Sequence, residues 1–235
     1  MPTGFPPRRR RYSGNSPSGR LRIAASRIAA LAALSAPFWL GYADTASPMQ
    51  SCDLALSLVF DVSSSMDDAE FGVMRDGIAA SLLDDDIWRE SDGTLLQVVF
   101  FAEKPLVVVP WVSAAARGEV AERISGMTKR PPMIGGMTGL GAAIGFVANQ
   151  MPRCDRQVID VAGDGENNVG PMPSVARQEI DPAIEINALA TTAEAAQYYR
   201  TFVIQGPQAF VQPVSGFADF EKAMKDKLTR ELYLG

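Results

Sequence analysis

The chain has 235 residues, 22 basic against 27 acidic, and no histidine. The missing histidine excludes Ser-His and Cys-His nucleophilic catalysis and the imidazole ligands of most catalytic zinc sites, leaving carboxylates and hydroxyls, which suit hard cations. Residues 1–43 hold seven arginines and no acid, so the remainder carries 15 basic and 27 acidic residues, a net −12 that argues against a nucleic-acid-binding face.

Within that basic segment, the apolar run "IAALAALSAPFWL" (Ile28–Leu40) ends in the small residues "GYA". A basic region, a short apolar core and a small-residue exit describe a signal peptide over 1–43. The run is short of the roughly 20 apolar residues a spanning helix needs. The expectation is export to the periplasm or beyond, the alternative being an uncleaved inner-membrane anchor. Residues 44–51 read as a short linker, and 52–235 as one domain with one core.

In the body, apolar runs alternate with helical periodicity. Leu54–Phe60 reads as a strand buried on both faces. Asp68–Leu83 reads as a helix, with Phe71, Met74, Ile78 and Leu82 on one side. Leu95–Ala102 and Leu106–Val109 are joined by the short "EKP", which predicts a hairpin and an antiparallel edge strand. The acids Asp84–Asp86 read as a solvated helix end. A helix is expected over Ser113–Ser125 with Ser113 as its N-cap. After the Pro/Gly-rich loop "MTKRPPMIGGMTG", another is expected over Leu140–Asn149. "QVIDVAGDG" is a second buried strand ending in an acidic turn. Then come a helix (Ser174–Ile180), a strand (Ile184–Ala190), a helix (Ala193–Tyr199), a strand (Phe210–Val214) and a last helix (Phe217–Leu232).

This alternation predicts an α/β fold: a doubly wound, mostly parallel sheet with one antiparallel edge strand and helices on both faces, in Rossmann-like order. Ligands in such sheets bind beyond the carboxyl ends of the strands, at the switch point. Asp61 ends the first strand and Asp164 follows the fourth, so the order 3-2-1-4-5-6 places them side by side. Cys52 lies nine residues before Asp61, and Cys154 ten before Asp164. On neighbouring parallel strands these similar offsets bring the two thiols together at the far edge, and in an exported chain they are expected to form a disulfide, the alternative being two buried free thiols.

The loop "FDVSSSMD" (Phe60–Asp67) admits several chemistries. An aspartyl phosphotransferase needs a second acid where Ser63 stands. A serine hydrolase needs a base, and neither Lys104 nor Lys129 has a reason to approach. The glycine run Gly135–Gly145 lacks the G-K-[ST] of a phosphate loop and does not directly follow a strand. It reads as a turn plus small residues that let a helix pack closely. Asp61 and the serines could also cap local backbone N–H groups in a tight turn. A divalent cation uses more of the pattern. Magnesium takes about six oxygens and keeps some waters. Asp61, Ser63 and Ser65 supply one carboxylate and two hydroxyls, which residues two apart on an extended loop can aim at one point, with Ser64 directed elsewhere. Thr138 adds a hydroxyl from the second loop and Asp164 a carboxylate from the third.

"DVSSS", "GGMTGLG" and "GDG", in this order and spacing, resemble the metal-ion-dependent adhesion site of von Willebrand factor A domains. More narrowly, the cysteine before the first strand, "DVSSSMD", "RDGIAASL", "VIDVAGDGENN" and "YYRTFVIQGPQAFV" resemble a bacterial family of exported A-domain proteins of unknown function. The resemblance covers Cys52 to the C-terminus. It implies that Ser63, Ser65 and Thr138 touch a Mg2+ ion (or Mn2+ or Ca2+), with Asp61 and Asp164 binding directly or through water. It also implies a protein partner whose acidic side chain completes the metal shell. The third loop departs from the pattern, because Gly163 precedes the aspartate where many A domains carry a hydroxyl. That leaves open how Asp164 is held. Glu166, Asp67 and Asp68 are further acids near these loops. Two alternatives stand beside this non-enzymatic reading: a hydrolase using the same ion to activate water, and an A domain that assembles without metal.

Overall fold

The computed structural model describes residues 52–128, 130–131 and 134–233. The expected leader and linker lie outside the described residues. Six strands form one sheet in the order β3-β2-β1-β4-β5-β6. They are β1 (Leu54–Asp61), β2 (Thr94–Phe101), β3 (Pro105–Ser113), β4 (Arg156–Gly163), β5 (Glu185–Ala190) and β6 (Val211–Pro213). All neighbours pair in parallel except β2 and β3, which form an antiparallel hairpin at one edge. The chain winds outward from β1 to β3, then returns beside β1 with β4 and winds the other way. The order therefore reverses between β1 and β4, as the sequence predicts.

Helices cover both faces. On one lie α1 (Asp68–Leu82), α2 (Asp85–Trp88), α3 (Arg117–Ser125) and α7 (Phe220–Tyr233). On the other lie α4 (Leu140–Ala148), α5 (Pro173–Ala176) and α6 (Ala193–Phe202). The pleat of β1 shows the division: Leu54, Leu56, Leu58 and Phe60 join the first core and Val59 the second. The helical spacing of Phe71, Met74 and Ile78 buries all three against the first face, each worth about 1.5–3 kcal/mol relative to exposure. Phe100 receives both Phe60 and Phe71 edge-on, at 6.1 Å between ring centroids in each pair. This aromatic stack holds α1 against the strand end that carries the first loop.

The boundaries that differ from expectation have local causes. β3 runs through Pro110 to Ser113, because a register irregularity on this edge strand absorbs a residue that cannot donate. Ser113 caps a single 3-10 turn (Ala114–Ala116) ahead of α3. Asp84 caps α2 and pairs with Lys225 of α7 at 3.3 Å, so the "DDD" run is more than a solvated helix end. α5 stops at Ala176, and Arg177 instead sends its guanidinium to the carbonyl of Ile204 at 2.6 Å. A 3-10 turn (Phe217–Asp219) precedes α7. The glycine run has the close packing expected of it: a Cβ on Gly141 would lie 2.0 Å from the carbonyl oxygen of Pro171.

Cys52 and Cys154 form a disulfide with their Cα atoms 4.8 Å apart. It joins the starts of β1 and β4, at the sheet edge opposite Asp61 and Asp164. Among the described residues, no helix is long and apolar enough to cross a membrane.

Candidate metal centre

β1 ends on Asp61, whose side chain is 1% exposed, and the chain then turns sharply. The turn is closed by the N–H of Met66 donating to the carbonyl of Ser63 at 3.2 Å. The first loop is therefore a turn rather than the extended segment expected from the alternating serines. It still brings both hydroxyls together, with Ser63 Oγ and Ser65 Oγ 3.1 Å apart. Thr138 Oγ1 donates to Ser63 Oγ at 3.1 Å, and Ser65 Oγ donates to Asp164 Oδ1 at 3.0 Å. All five predicted side chains thus belong to one cluster built from three loops. Asp61, Ser63 and Thr138 form its buried floor, and Ser65 and Asp164 its mouth.

Capping of the backbone accounts for only half of Asp61. Its Oδ1 accepts the N–H of Ser63 at 2.8 Å, while Oδ2 is buried with no hydrogen-bond partner. Burial pushes this carboxyl up to about 7 against the pull of the Ser63 N–H, with a smaller upward push from Asp164. A buried carboxylate oxygen without a donor is costly, and a cation is one remedy. The donors, two carboxylates and three hydroxyls with no nitrogen or sulfur, fit a small hard cation. Among the described residues no group of three or more His, Cys, Asp or Glu could hold a metal, so the cluster depends on hydroxyl oxygens.

Several supporting residues were not singled out in the sequence. Asn168 Oδ1 accepts the N–H of Thr138 at 2.7 Å, and the N–H of Asn168 donates back to Thr138 O at 2.9 Å. Asn167 Oδ1 accepts the N–H of Gly141 at 3.0 Å, capping α4 from another loop because Gly139 has no side chain to do so. The signal was the "ENN" that follows "GDG". Arg130 Nη1 donates to Ser63 O at 2.6 Å and pins the first loop. Ser64 points away from the cluster as expected, yet its Oγ and N–H both donate to Gly136 O at 2.8 Å. It ties the first loop to the second.

Of the neighbouring acids, Asp67 is the N-cap of α1, accepting from the N–H groups of Ala69 and Glu70. Asp68 belongs to the exposed first turn of α1. Glu166 is exposed beside Glu194 and Tyr198. Asp164 is held by Ser65 through its carboxylate and by Thr192 Oγ1, which donates to its carbonyl at 3.1 Å. Where a side chain on Gly163 would begin, the hydroxyl of Tyr199 sits: a Cβ there would be 2.6 Å from it. Burial holds this phenol well above its ordinary value, with Asp61 and Asp164 adding to the effect.

A doubly wound sheet of this order, with three loops converging above its switch point, is the fold of von Willebrand factor type A domains. Solved structures share the fold at low identity. The chain is similar to proximal thread matrix protein 1 from the mussel byssus, solved with a zinc-occupied MIDAS motif, at 20% identity and a TM-score of 0.58 over 78% of this chain and 46% of that one. It is similar to a von Willebrand factor type A protein from Catenulispora acidiphila, at 16% identity and 0.58 over 77% and 43%. The pilus adhesin SpaC of Lactobacillus rhamnosus GG matches at 11% and 0.58 over 77% and 30%. The chain thus spans less than half the length of each of these proteins. The chain belongs to the family described as "Protein of unknown function (DUF1194)", which matches residues 51–234. No curated protein matches it.

Proposed function

We propose that this domain is an exported, divalent-cation-dependent protein-binding module whose partner contributes an acidic side chain. The observation that carries the reading is the hydroxyl chain from Thr138 through Ser63 and Ser65 to Asp164, laid beside the partnerless Oδ2 of Asp61. Asp61 and Asp164 supply the charge, and the three hydroxyls supply neutral oxygens. When bound, Mg2+ (or Mn2+ or Ca2+) offers an open coordination position to a partner's carboxylate. The chain's own residues set that position. Ser65 and Asp164 lie at the mouth, whereas Asp61, Ser63 and Thr138 are sealed beneath them. The zinc reported for the mussel protein and the adhesin among the structural relatives support a binding role. The arginine-rich, apolar start of the chain supports export.

Calorimetric titration with Mg2+ and Mn2+ tests the site. Wild type should bind one ion, and Asp61→Ala or Ser63→Ala should abolish binding. Retained affinity in both variants would remove the site. Affinity capture from envelope extract, with and without chelator, tests the partner. The captured protein should be lost on chelation and in Asp61→Ala.

A further inference from the structure

Tyr199 lies in α6 with its side chain fully buried, and its hydroxyl has no hydrogen-bond partner among the described residues. Leaving such a group unpaired costs about 1–3 kcal/mol, and phenylalanine would fill the same space without that cost. Among the five residues of the cation cluster, the one buried side-chain oxygen left without a partner is Oδ2 of Asp61. The two face one small region. A Cβ built on Gly163 would lie 2.6 Å from the Tyr199 hydroxyl, 2.8 Å from Asp61 Cβ and 3.3 Å from Asp61 Oδ2. A hydroxyl donor and a carboxylate acceptor therefore flank a point that glycine leaves free.

Their relative position is fixed by three contacts. The N–H of Thr191 donates to Gly163 O at 3.1 Å, and Thr192 Oγ1 donates to Asp164 O at 3.1 Å. The same Thr192 oxygen accepts the N–H of Ala195 at 3.0 Å and caps α6. The helix that carries Tyr199 is thus fastened to the loop that carries Asp164.

We propose that Tyr199 is a positioning residue of the cation site: its hydroxyl donates to the Asp61 carboxylate when the site is loaded, across the point that Gly163 leaves free. This rests on the cation-binding reading above. One Asp61 oxygen is already oriented by the Ser63 N–H. A second donor at Oδ2 locks the carboxylate plane and fixes which lone pairs face the ion. Partners of this kind typically change metal affinity by roughly 10–100-fold when removed.

The test compares wild type with Tyr199→Phe by Mg2+ calorimetry and by thermal unfolding in chelator. The expected result is a 10–100-fold weaker affinity in the variant, with a metal-free unfolding temperature equal to or above that of wild type. Equal affinities would overturn the proposal while leaving the cation site intact, whereas absence of Mg2+ binding in wild type would overturn both. Should Tyr199→Phe fail to fold, 3-fluorotyrosine placed at position 199 gives a separate readout. Its fluorine resonance should move on Mg2+ addition, and an unmoved resonance in a protein that binds Mg2+ would overturn the proposal.

Discussion

Asp61 has two oxygens in different surroundings, one tied to a backbone N–H and one left bare in the interior. This asymmetry predicts a pH dependence. Burial raises the folded-state pKa from 3.8 to about 7, so between those values the folded, metal-free protein holds a proton that the unfolded chain has lost. Metal-free stability should fall as pH rises through that window and level off above about 7. A cation must displace the proton, so apparent Mg2+ affinity should climb about tenfold per pH unit toward 7 and then plateau. Calorimetry from pH 5 to 8 checks this, and a flat profile would contradict it. The clustering of the five expected residues was legible partly from the acid and hydroxyls at the end of a buried strand and partly from the three-loop resemblance. Tyr199, Asn168 and Arg130 were not, because each acts on a residue far away in sequence. Tyr199 read only as the end of an expected helix and as part of the family pattern, and only the folded chain shows that its hydroxyl and Asp61 both approach Gly163.

Among the elements, α7 shows the same limit. Its apolar periodicity announced a helix packed on the sheet, and Phe220, Met224 and Leu228 do so. What the pattern concealed is Lys227, wholly buried between Asp160 of β4 and Glu231. Lys227 Nζ bridges the two acids, making an ion pair with Asp160 Oδ1 and another with Glu231 Oε1. Burial, with Glu231 nearby, holds the Asp160 carboxyl well above its ordinary value. Asp160 appeared in the sequence only as an interruption of "VIDVAG", because nothing local shows that a lysine on a distant helix will arrive over it. Lys227→Met would leave two acids facing each other in the core. It should cost about 3–5 kcal/mol at neutral pH, with a smaller loss in acid where both can carry protons. Chemical unfolding at two pH values measures the difference, and an equal loss at both would contradict this account.

For the molecule as a whole, strand order and the placement of the site were legible. Alternating apolar strands and helices restrict the topology, and the acids at the ends of the first and fourth strands mark its switch point. The similar offsets from Cys52 to Asp61 and from Cys154 to Asp164 likewise foreshadowed the bridge. The disulfide lies about 25 Å from the cation cluster by strand rise. It closes a loop spanning 102 positions, so reduction should destabilise the domain by roughly 4–5 kcal/mol in the chain-entropy view. Mg2+ affinity of the still-folded reduced protein should change less than about twofold, since the strands between are held by parallel ladders on both sides. Unfolding with and without reductant, followed by metal titration, separates the two effects.

The bridge also has a mechanical consequence. Force applied between the three loops and the Cys52 end would load the upper ends of β1 and β4 against their lower ends. The bridge splits that tension between the two central strands. Both are then loaded along their length, where many ladder bonds must slide together, so the sheet resists in shear instead of peeling open strand by strand.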